Sequence, residues 1–97
     1  MNVAVEWSRC YRILEVTKLQ WNENILPGAR AANLINFGET IMINLLFGII
    51  KEYLDTKEPS IANVMEVHTA LQQLNIFSAM IASRLGMNIL RTSSSNV

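Results

Sequence analysis

Between Ala31 and Asp55 the polar residues, not the apolar ones, form the stripe, and this constrains the fold more than any other feature of the chain. Asn33, Asn36, Thr40, Asn44, Lys51 and Asp55 recur at three-to-four steps, with Gly48 filling the gap, which is the spacing of one face of an α-helix. Leu, Ile, Phe, Met and Tyr side chains take most of the remaining circumference, the pattern of a helix packed on several sides at once. Such a helix is roughly 35 Å long. Each large apolar side chain left in water forgoes about 1.5 to 3 kcal/mol of burial. Two neighbours from the same chain cover only part of it, so the segment predicts a central hydrophobic helix that also packs against a second molecule.

The punctuation around this segment predicts two further helices. Pro27 and Pro59 are the only prolines and cut the chain into three lengths of helical size. In the first length Val3, Trp7, Cys10, Leu14 and Trp21 form an apolar stripe, while Glu6, Arg9, Arg12, Glu15 and Lys18 mark the water side. Asn22-Glu23-Asn24 and Pro27-Gly28 have the chemistry to end that helix and turn the chain. Asp55 to Pro59 closes the second helix, and Ser60 is placed to cap the third. There Val64, Val67, Leu71, Leu74, Ile81 and Leu85 make a heptad-like seam interrupted by Ser78. Gly86 is a helix-ending glycine, after which Met87 to Arg91 supply a short fourth turn and Thr92 to Val97 a serine-rich tail. Gly38 and Gly48 each cost a helix interior about 1 kcal/mol relative to alanine. A close helix contact, or a kink near Phe47-Gly48, would account for them.

Composition decides which function classes survive. The apolar fraction is 51% and the charged fraction 16%, against an ordinary charged fraction of about 25%. A 97-residue chain forms one small domain with a thin core, burying about 60 to 70% of its unfolded surface. Eight basic and eight acidic residues leave no net charge, so no field draws the protein to nucleic acid or acidic lipid. The apolar tract Leu34 to Ile50 contains Asn36, Glu39 and Asn44, whereas a membrane span needs about 20 cleanly apolar residues. Cys10 is the sole cysteine, which excludes an internal disulfide or a multi-cysteine zinc site. With no secretory pattern in Met1 to Tyr11, the chain reads as cytoplasmic.

No chemistry-bearing constellation emerges. His68, the only histidine, has no nucleophile, orienting carboxylate or co-ligand set beside it by spacing, so it reads as a partly exposed helix residue. Cys10 lies on an apolar stripe, where a small buried hydrophobe is the natural role. Trp7, Tyr11, Trp21 and Tyr53 fall at helical spacing and read as packing residues. The methionines Met42, Met65, Met80 and Met87 suit either core or an adaptable interface. No catalytic, metal or cofactor-binding residue is nominated.

The resulting expectation is an all-α, three-helix antiparallel bundle over residues 1–91, with residues 92–97 as a tail, assembling as an oligomer or with a protein partner. The expected interface is Ile43, Leu46, Phe47, Ile50 and Leu54 with Ile76, Phe77 and Met80. The function that follows is non-enzymatic association, as an assembly subunit, adaptor or sequestering inhibitor. The alternative is a small transcriptional regulator: residues 78–91 outline a degenerate helix-turn-helix, with Arg84 and Arg91 as the phosphate contacts.

Overall fold

A computed structural model describes residues 1–86 as an all-α bundle. The short fourth turn, the end of the domain at residue 91 and the serine-rich tail lie outside the described residues.

Helix α1 spans Val3–Gln20 and opens with Asn2, whose side chain accepts from the Val5 amide at 3.2 Å. Its buried residues, Trp7, Cys10 and Leu14, are the stripe the sequence predicts. The expected stop at Asn22 to Gly28 does not occur. The chain widens into a π turn, Trp21–Ile25, in which the Leu26 amide reaches the Trp21 carbonyl, and then continues as α2, Leu26–Ala31. The Asn-Glu-Asn side chains lie outside, while Trp21 and Ile25 both turn inward. Pro27 sits in the first turn of α2, where a missing N–H is tolerated. The true end is two turns later: Asn33, at φ 57°, adopts the left-handed conformation, Leu34 N–H donates to Ala29 O at 2.8 Å and Asn33 N–H to Arg30 O at 3.1 Å.

Helix α3 spans Phe37–Thr56, starting six residues after Ala31, where the expected helical segment begins. Asn36 and Glu39 fix that start by capping each other: the Glu39 amide donates to Asn36 Oδ1 at 2.8 Å and the Asn36 amide to Glu39 Oε1 at 3.2 Å. The helix runs unbroken through Gly48, and a Cβ placed there meets nothing within 4 Å, so neither a kink nor a close contact within the chain explains the glycine. Helix α4, Ile61–Arg84, begins at Ser60, whose hydroxyl accepts from the Asn63 amide at 3.1 Å. It ends just before Gly86, at φ 77°.

The helices run up, down and up. Trp7 Nε1 donates to Leu54 O at 3.3 Å, joining the start of α1 to the end of α3. The end of α2 returns to the end of α4, where a Cβ on Gly28 would lie 3.3 Å from Leu85 Cδ1. The helix that touches all the others is α4; α3 packs on α1 and α4. The reason lies in the seam of α4: Val64, Val67, Leu71, Leu74, Ile81 and Ala82 are buried, and Ser78 is buried among them with its hydroxyl donating to Asn75 O at 3.1 Å. Ser78 therefore continues the seam it was expected to interrupt.

Candidate interaction surface

Two polar links set the register of α3 against α4. At one end the Tyr53 hydroxyl donates to Glu66 Oε1 at 2.8 Å and lies 2.9 Å from Asn63 Oδ1. Donation to the carboxylate, with partial burial, pushes the phenol pKa up from its ordinary value. At the other end the Arg84 guanidinium holds both oxygens of Glu39 and also donates to Leu34 O at 3.0 Å. This fork, helped by the Asn36 amide, holds the Glu39 carboxyl below the usual carboxylate range. Most of the length between these links is free of Asp, Glu, Lys and Arg: residues 40–50 of α3 and 67–83 of α4 carry none, and on α3 Lys51 and Glu52 precede Tyr53.

This charge-free middle has an inner and an outer face. Inside, Ile43, Phe47, Ile50 and Leu54 are between 0 and 4% exposed and form core with Val64, Val67, Leu74 and Ile81. Outside, Ile41, Met42, Leu45 and Ile49 of α3 and Ile76 and Met80 of α4 are between 42 and 62% exposed. A groove of about 180 Å³ runs between the helices, lined by Ile49, Ile50, Tyr53, Glu66, Val67 and Ala70. The outer side of α1 also exposes Val5, Val16 and Leu19, but Arg9, Arg12, Glu15 and Lys18 are exposed along the same helix. Only on the α3–α4 hairpin do exposed apolar residues run for three turns without a charge among the described residues.

The expected interface is thereby divided. Ile43, Phe47, Ile50 and Leu54 are corrected to core residues: α1 and α4 shield them, beginning with the Trp7 indole over Leu54. Leu46 and Phe77 are half-buried at the seam between the helices, and Ile76 and Met80 are exposed. Sequence reasoning missed Ile41, Met42, Leu45 and Ile49. The i, i+4 spacing of Ile41, Leu45 and Ile49 was visible, but the spacing of Ile43, Phe47, Ile50 and Leu54 was equally regular, and periodicity alone does not say which of two apolar faces turns inward.

Other singled-out residues have structural surroundings. His68 is half-exposed, with Nε2 3.8 Å from Glu6 Oε1 on α1. Cys10 is wholly buried, and burial pushes its thiol pKa up, with Glu6 adding to the rise and Arg9 opposing it. Tyr11 donates to Asp55 and is pushed up to about 12, chiefly by that bond. Trp21 Nε1 is buried with no partner beside the π turn. Arg84, one of the two expected phosphate contacts, is engaged by Glu39 and Leu34, and Arg91 lies outside the described residues. Among the described residues no three His, Cys, Asp or Glu side chains converge as a metal site, and no helix is long and apolar enough to cross a membrane.

Comparison with known protein families, with curated proteins and with solved structures gave no match.

Proposed function

We propose that this chain is a non-enzymatic association protein, working as an assembly subunit, adaptor or sequestering inhibitor through the outer face of the α3–α4 hairpin. One observation carries the reading: a band without charge over residues 40–50 and 67–83 that keeps large apolar side chains in water, on two helices tied together by the Tyr53–Glu66 and Arg84–Glu39 links. A folded monomer gains nothing from holding Leu45 and Ile49 about 60% open. A partner covering them recovers on the order of 1 kcal/mol for each half-open side chain. The polar links hold the two helices in one arrangement, so a partner meets a preformed surface.

The test is capture from a source lysate by immobilised wild type and by the double variant Leu45→Asp/Ile49→Asp. Both substitutions lie on the exposed face, so both proteins stay equally helical by circular dichroism. The reading predicts proteins retained by the wild type and lost with the double variant, with free copies of the chain counted among them. Equal retention by the two proteins contradicts it.

A further inference from the structure

We infer that the partner seated on the α3–α4 face is a second copy of this chain, with the two α3 helices antiparallel and crossing at Leu45; this rests on the association reading above. The first argument is the arrangement of the face about that residue. Leu45 is the midpoint of the charge-free stretch between Glu39 and Lys51, and of the exposed row Ile41, Leu45, Ile49. An antiparallel copy crossing there sets Leu45 against itself and Ile41 level with Ile49, so like meets like in size along the row. The i, i+4 row is also a ridge of the kind that packs between the ridges of an identical helix.

Charge is the second argument. The charges at the two ends of this stretch are each paired within their own chain, Glu39 by Arg84 and Lys51 by Asp55, so neither of them opposes a second copy. The chain's eight basic and eight acidic residues add no net repulsion between copies. Area is the third. Six side chains about half open, with the half-buried Leu46 and Phe77, offer on the order of 600 to 700 Å² per copy, close to the ~800 Å² per partner of a standard-size interface. A smaller occupant, such as a single peptide helix, leaves part of this surface in water.

The experiment compares Leu45→Cys with Val16→Cys, the latter on the exposed side of α1, each treated with a short bismaleimide cross-linker at micromolar concentration. Cys10 is wholly buried, so the introduced thiol is the one that reacts. The expected result is at least a tenfold excess of covalent dimer for Leu45→Cys, together with light scattering of the wild type at twice the chain mass and of Ile49→Asp at the chain mass. A monomeric wild type overturns the inference, and so does a dimer in which both cysteines cross-link alike or in which Ile49→Asp leaves the mass unchanged. A monomer that still captures proteins through Leu45 and Ile49 overturns the second copy as partner and leaves the association reading standing.

Discussion

Arg84 at the end of α4 grips Glu39 at the start of α3 with both arms of its guanidinium, Nη1 to Oε1 at 3.0 Å and Nη2 to Oε2 at 2.9 Å, across 45 residues of sequence. The same carboxylate accepts from the Asn36 amide, so one side chain caps α3 and ties it to α4. Arg84→Ala and Glu39→Gln are each expected to lower the melting temperature by a few degrees. The double variant should lose clearly less than the sum, because the second change removes an interaction already broken. Additive losses in thermal melts contradict the coupling.

The ionisable links predict a stability plateau with two limbs. Asp55 is held below its ordinary value by Lys51 and Tyr11, and Glu39 by Arg84 and the Asn36 amide. Folded-state values that are depressed contribute stability above the unfolded pKa of about 4 and lose it as pH falls through the folded values. Tyr11, raised to about 12 chiefly by Asp55, works in the opposite sense. Its contribution is complete below the unfolded value of about 10 and is lost as pH rises toward the folded one. Urea midpoints should therefore fall on both sides of neutrality, and Tyr11→Phe should flatten the alkaline limb. A midpoint that stays constant below pH 4 contradicts the acid half of this account.

Leu74 and Ile76 are near neighbours on α4 with opposite fates, one wholly buried and the other 62% exposed. Leu74→Ala is expected to cost about 2 to 5 kcal/mol in urea unfolding, the range for emptying a buried leucine site. Ile76→Ser, with no core contact to lose, should stay within about 0.5 kcal/mol when measured on the dissociated chain. Comparable losses at the two positions mean that the face assigned to the core is wrong.

Gly48 sits in the interior of α3 with open space where a side chain would be. Gly48→Ala is expected to stabilise the fold by about 0.5 to 1 kcal/mol, from helix propensity alone. A loss of stability at high dilution reveals a contact at that position.

Much of the fold was legible because local chemistry and burial agreed. Ser60 capped α4 as its position implied, Pro59 followed the end of α3, and the stripes of α1 and α4 were the faces they buried. Pro27 misled, because a proline stops a helix only when its N–H is needed, and the π turn before it places Pro27 in a first turn. Gly86 also obeyed local rules, while Asn36 and Glu39 carried a capping signal that a count of apolar residues passes over. The site was half legible. In α3 two apolar faces share one helix, and the choice between them is made by Trp7, by the α4 seam and by links formed across the chain, none of which a single segment contains.

Sedimentation velocity of the wild type and of Leu45→Asp over a dilution series bears most directly on the central claim that the outer hairpin face is covered by a second molecule of the chain. The wild type should sediment as a dimer that gives way to monomer on dilution, while Leu45→Asp is monomeric throughout and equally helical. A single monomeric boundary for both proteins at every concentration, or a dimer indifferent to the charge at Leu45, contradicts the account.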